Sequence, residues 1–225
     1  MKKAILPPIK TIVNYWSCHI DETFLGVDFA EGHERCWRCG YKTRTLHRCH
    51  IVPECLGGGC KPSNLIILCG QCHVQAPNII DEYFIFPWLN LTKGSDFYED
   101  NTSFINDNLF ELLFKRKFIK DLLVFNKKTS QIEIDEIETI LNEQFCVFTK
   151  QTARHFTQGT RNNNSTRAWV QAKAEEHLIQ KLKLNTPKGF IKVEDLKLKI
   201  FPKKHNTKSK TKPLNNVLTF KYEKS

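Results

Sequence analysis

The chain lacks several things that would place it quickly. No apolar run approaches the ~20 residues that a membrane-spanning helix needs. The opening Met1-Lys2-Lys3-Ala4-Ile5-Leu6 starts like a secretory signal, but Pro7, Pro8 and Lys10 interrupt it before an apolar region forms. There is no internal repeat. Nine cysteines cannot close into a disulfide framework without a remainder. Arginine is scarce, at 8 of the 34 basic residues. These absences exclude membrane and secreted classes and make a reducing intracellular compartment the expected one, cytoplasmic if the source is prokaryotic.

What is present is a soluble composition of 225 residues, 40% hydrophobic and 26% charged, long enough to bury a core without covalent staples. The formal charge is +10, and its distribution is uneven. Residues 1–100 carry 10 basic and 11 acidic side chains, residues 101–180 carry 11 and 10, and residues 181–225 carry 13 and 3. The whole excess lies in the last 45 residues. A lysine-rich block of this kind reads as a grip on phosphates. The competing reading is a solvated tail with a lysine-biased composition.

Four of the cysteines have a special spacing. Cys36-Trp37-Arg38-Cys39 and Cys69-Gly70-Gln71-Cys72 are two Cys-x-x-Cys turns separated by 29 residues. Two intervening residues let both thiolates of a turn face one ion, and two such turns complete a tetrahedral zinc site. The alternative is four buried free thiols. Between the turns, Leu46–Pro53 reads as a strand, Gly57-Gly58-Gly59 with Pro62 as a loop, and Asn64–Leu68 as a second, largely buried strand. A short helix carrying His73 then ends before Pro77.

A histidine leaving the first strand, an asparagine opening the second and a histidine entering the helix form an ordered set: His50-Ile51-Val52-Pro53, Gly57-Gly58, Asn64-Leu65 and Cys69-x-x-Cys72-His73. Over residues 34–90 this resembles the HNH, or ββα-metal, nuclease family. The resemblance implies that His50 is the general base, that Asn64 fixes the inter-strand loop and that His73 ligates a catalytic divalent ion, Mg²⁺ or Mn²⁺. It leaves Cys36, Cys39, Cys69 and Cys72 for a separate structural zinc. It implies cleavage of double-stranded DNA to 5′-phosphate and 3′-hydroxyl ends. A histidine base suits water activation near neutral pH.

The chain departs from the family pattern immediately before the base. Many members carry Asp or His there as a second metal ligand, and here the residue is Cys49. Three readings stay open: Cys49 is only a strand residue, it biases the site toward a softer ion, or the site does not cleave. His47 lies two residues earlier on the same strand face and is either another ligand or an exposed strand residue, the latter preferred. Arg44 and Arg48 read equally as phosphate clamps and as solvated strand charges.

The expected fold is α+β: a ββα-metal core held by a four-cysteine zinc site, then a mainly helical C-terminal region ending in a Lys-rich hairpin. The expected divisions are an N-terminal extension at 1–30, a nuclease core at 31–92 and a basic DNA-binding region at 93–225. Helical periodicity predicts helices over about 104–125 and 133–148, and a third starting near Ser165 as its N-cap. Ahead of it, Arg154 to Asn164 is rich in Arg, Gln and Asn, the side chains that read base edges. The expected division of labour gives sequence choice to Arg161 and Arg167 and affinity to Lys203, Lys204, Lys208, Lys210 and Lys212. Leu196–Ile200 and Val217–Lys221 alternate as hairpin strands around those lysines. A site-specific enzyme of the restriction type is the first expectation, acting as a homodimer where both strands are cut. A homing or phage-borne nuclease and a non-cleaving zinc-dependent DNA-binding protein are the alternatives.

Overall fold

The computed structural model of the chain describes residues 5–94, 105–119, 123, 134–154 and 162–196. Arg161, the five lysines at 203–212 and the expected hairpin beyond Leu196 lie outside the described residues. No helix among the described residues is long and apolar enough to cross a membrane.

The first element, α1 (Ile9–Ser17), starts one residue after Pro8 and buries Ile12, Val13 and Trp16 on a single face. The Trp16 indole donates to the Leu65 carbonyl at 2.7 Å, which ties this N-terminal helix to the strand hairpin that follows. The hairpin itself is β1 (Leu46–His50) against β2 (Leu65–Cys69), antiparallel, with Leu46 opposite Cys69 and His50 opposite Leu65. All five β2 residues are buried, so the strand is covered on both faces and reads as a continuous apolar run. A short helix, α2 (Gly70–Gln75), follows without a break. The strand–strand–helix order expected from the sequence is present, with β1 ending at His50 rather than Pro53.

The first Cys-x-x-Cys turn docks on this unit through its backbone. Cys36 N–H donates to Tyr41 O, Gly40 N–H to Cys36 O, and Trp37 N–H to Ile67 O at 2.9 Å. Trp37 is wholly buried, and its indole donates to Gly32 O. Gly40 holds the turn at φ +75, and a Cβ there would come within 2.7 Å of Gly26 O.

Downstream, α3 (Ile85–Leu91) packs five of its residues into the core, and Trp88 is fully buried. The helices α4 (Ile105–Phe114), α5 (Ile134–Thr149) and α6 (Asn164–Leu182) form the C-terminal part. The apolar pattern predicts a longer helix at 104–125, but the chain turns at Lys115, where φ is +55. The start of α6 also differs from expectation. Asn163, not Ser165, is the N-cap, its side chain accepting from Thr166 N–H at 2.8 Å. Ser165 instead donates to Gln75 O, and Asn163 Nδ2 donates to Val74 O and Ala76 O. These bonds satisfy the last carbonyls of α2, which have no partner within their own helix. One hydrophobic cluster runs through α1, the hairpin, α3, α4 and the first half of α6.

A buried ion pair fastens α4 to α6. Glu175 is fully buried, pairs with Arg116 and also accepts from Ile119 N–H. The Arg116 guanidinium lies over the Phe110 and Phe190 rings, at 5.0 and 4.0 Å from their centroids. Removing one member of such a pair strands the other charge in the core. We expect Glu175→Ala to lower unfolding free energy by about 3–5 kcal/mol in urea titration. A loss below about 1 kcal/mol would mean that Arg116 reaches water without rearrangement.

Candidate metal centre and catalytic cleft

Two sites share the hairpin–helix unit. In the first, the sulfur atoms of Cys36, Cys39, Cys69 and Cys72 all lie within 4.8 Å of one another, and all four residues are buried. Cys39 Sγ and Cys69 Sγ are 4.0 Å apart. A tetrahedral ion with ~2.3 Å bonds to sulfur sets that edge at about 3.8 Å. Four sulfurs in a dry site, none in a disulfide, fit a structural zinc. Contact with Cys39 pushes the Cys36 thiol far above its ordinary range, and the same contact lowers Cys39 to about 7. Contacts with Cys36, Cys39 and Cys69 push Cys72 up as well. Four crowded thiols resist becoming four thiolates without a cation among them.

Arg38, the third residue of the first turn, is buried at 5% exposure. Its Nη1 donates toward Cys72 Sγ at 3.8 Å, its Nε donates to Thr92 Oγ1 at 2.8 Å, and its guanidinium lies 4.6 Å from the Trp88 ring centroid. A fixed positive charge beside a tetrathiolate offsets part of its excess negative charge.

The second site is an open cleft of about 550 Å³ lined by His50, Pro53, Glu54, Cys55, His73, Asn78, Ala153 and Arg154. His50 ends β1 and His73 sits on α2, so the antiparallel register and the α2 crossing bring them to one cavity. Burial lowers the His50 pKa from 6.5, against a smaller opposite pull from Glu54. Neutral imidazole, the form that accepts a proton, is therefore favoured. Cys60 Sγ lies 3.8 Å from His50 Nε2.

Asn64 holds the wall of the cleft. Its Oδ1 accepts from Val52 N–H, and its Nδ2 donates to Val52 O and Gly59 O, each at 2.9 Å. The loop closes so tightly that a Cβ on Gly58 would sit 1.7 Å from Val52 O and 2.8 Å from Asn64 Nδ2. Gly57, at φ +93, ends the turn in the left-handed region.

His47 is not an isolated strand residue. Its Nδ1 is 3.1 Å from His73 Nδ1, the rings standing at 89°. Two ligands of a six-coordinate ion with ~2.1 Å bonds sit about 3.0 Å apart, so this pair has the spacing of one coordination edge. His47 is an exposed strand residue, as preferred from the sequence, and its ring also meets that of His73, 26 residues away. Cys49 takes the opposite course. It is 1% exposed, burial pushes its thiol up to about 12, and its sulfur lies 3.6 Å from His50 O. It faces the core and does not line the cleft, as its reading as a plain strand residue requires; its assignment as a ligand of the catalytic ion is not supported by this geometry. Arg48 is half-buried, whereas Arg44 and Arg167 are exposed. Asn78 and Arg154, which the sequence reading did not place in the site, are brought in by contacts described below.

The hairpin, the helix and the paired Cys-x-x-Cys turns define a metal-binding ββα unit. Residues 36–89 match the family model described as HNH endonuclease, about a quarter of the chain. With its cluster of four cysteines, the matched segment is of the zinc-knuckle type. No curated protein and no solved structure matches the chain.

Proposed function

We propose that the chain is a metal-dependent DNA endonuclease of the site-specific, restriction type. The observation that carries this reading is the convergence of His50 and His73 on one cleft whose wall is pinned by Asn64. His50, kept neutral by burial, takes the proton from an attacking water. Asn64 has no proton to move; it keeps Val52 and Gly59 in place so that the base stays aimed. His47 and His73 would hold a divalent ion, which when bound stabilises negative charge on the phosphate and the leaving 3′ oxygen. Two imidazole donors suit Mn²⁺ and softer ions better than Mg²⁺. Hydrolysis that expels the 3′ oxygen gives a 5′-phosphate and a 3′-hydroxyl.

Arg167 stands exposed on the first turn of α6, and we retain it with Arg161 for base contacts. The lysines at 203, 204, 208, 210 and 212 supply sequence-independent affinity through phosphates. Cutting both strands calls for a second copy of the chain. The non-cleaving zinc-dependent DNA-binding protein stays the alternative, since the position before His50 is a buried cysteine rather than an Asp or His ligand.

The purified protein should linearise or nick plasmid DNA with Mn²⁺ or Mg²⁺ and stop in EDTA, while zinc remains at one ion per chain by elemental analysis. Sequenced ends of cut genomic DNA should share a fixed motif. Ends spread at random would remove the restriction-type reading, and a protein inert with every divalent ion would remove the nuclease reading.

A further inference from the structure

The matched segment ends at residue 89, yet the cleft does not. Its far wall is Ala153 and Arg154, delivered from beyond α5. Their placement is fixed by a short ladder. Ile79 bridges Thr152 in antiparallel fashion, Ile80 N–H donates to Gln151 O at 3.0 Å, and Ala153 N–H donates to Asn78 O at 2.7 Å. Asn162 Nδ2 adds a bond to Thr152 Oγ1. Residues 78–80 lie just after α2, so the ladder brings Arg154 to the cleft that His50 and His73 also line.

A second observation concerns Asn78 on the same ladder. Its backbone is satisfied, N–H by Thr166 Oγ1 and C=O by Ala153. Its side-chain Nδ2 is buried and has no hydrogen-bond partner, although the residue is only 9% exposed and lines the cleft. A buried donor without a protein partner is costly, and a water or a bound ligand reaching it through the cleft would complete it. The cleft holds one other charged side chain, Glu54, whose carboxylate repels phosphate and leaves Arg154 as the cation there.

We propose that Arg154 and Asn78 form a phosphate-oxygen subsite that binds the scissile phosphodiester, so that the active site is completed by a residue outside the matched nuclease segment. Arg154 offers a planar fork to the two non-bridging oxygens. Asn78 Nδ2 donates to one of them. No bond is made or broken by either group; His50 alone accepts the proton. This rests on the nuclease reading for its chemistry, but phosphate contact itself does not.

The test uses the full chain and has two arms. The first is duplex binding in EDTA across salt, which needs no cleavage. Loss of one phosphate contact in Arg154→Ala should flatten the slope of log K against log salt by about 0.9. Arg154→Lys should keep the slope, since the charge stays. The second is single-turnover cleavage at saturating DNA. Arg154→Ala should fall by about 10²–10³-fold, with Arg154→Lys only partly restored. Wild-type enzyme should discriminate between the two phosphorothioate diastereomers at the scissile position, and Arg154→Ala should lose that discrimination. Asn78→Leu, near in volume, should slow cleavage by about tenfold with an unchanged or higher melting temperature, because it removes an unpaired buried donor. A wild-type salt slope and rate in Arg154→Ala would overturn the subsite while leaving the nuclease reading standing. A wild-type protein that cuts nothing, with the slope still flattened in Arg154→Ala, would leave the subsite and remove the nuclease.

Discussion

His50→Ala should abolish cleavage, by on the order of 10³-fold, and leave zinc content and duplex affinity unchanged. Only water activation is lost, because His50 lies in the cleft, apart from the cluster of four cysteines, and the Asn64 pins act on Val52 and Gly59. The wild-type pH profile carries the same signature. Burial depresses the His50 pKa below 6.5, so the active neutral form persists to lower pH than for an ordinary histidine. In kcat/KM the acid limb should therefore rise with pH to a plateau, with its midpoint below 6.5. Stability follows the same sign. As pH falls through 6.5 the unfolded chain gains a proton here that the folded chain resists, so folding weakens until the depressed pKa is reached. His50→Ala should remove that component from a urea titration series across pH. Cutting by His50→Ala at near wild-type rate would end the base assignment.

Cys36→Ser should unfold the hairpin unit. Zinc bound by such turns contributes apparent free energies of about 10–16 kcal/mol, as large as the whole stability of an ordinary domain. Loss of one thiolate also frees Trp37, whose N–H is bonded to Ile67 O and whose ring is fully buried. The expected readings are zinc well below one ion per chain and red-shifted tryptophan emission. Cys55→Ser, at an exposed thiol, should change neither. A Cys36→Ser protein with intact zinc and melting temperature would mean that three sulfurs suffice.

The parts of the site written in local spacing could be read from the chain alone. The two Cys-x-x-Cys turns, the histidine at the end of one apolar run and the asparagine at the start of the next are short-range patterns. Their geometry depends only on a hairpin forming. What escaped depends on contacts distant in sequence. The His47–His73 nitrogen pair needs the actual crossing of α2 over β1, and alternation along the strand gives only its face. The same alternation puts Cys49 beside His47, but burial separates them. Asn163 belongs to the polar stretch suited to reading bases, and Ser165 reads as an N-cap. In the fold they are capping and stapling groups, and Thr166 is wholly buried. Arg154 opens that same polar stretch, but nothing local in the sequence brings it to the cleft; the 78–80 ladder does. The apolar run that suggests a helix to residue 125 carries no mark of the turn at Lys115, because a left-handed lysine is rare and leaves no compositional trace.

The staples from Asn163 and Ser165 to the end of α2 also impose an order in time. They span 87 to 90 residues of sequence. At a ribosomal rate of about 5–20 residues per second, those partners emerge roughly 5–20 s after α2 has left the tunnel. Until then the carbonyls of Val74, Gln75 and Ala76 lack these partners, and the cleft lacks its Arg154 wall. The nascent zinc-binding unit can form early from its own hairpin, but the completed cleft comes into being only when the later helix closes the long loop. Such high sequence separation slows the last step of folding. A chain that cuts DNA would thus pass through synthesis with its cutting site unfinished.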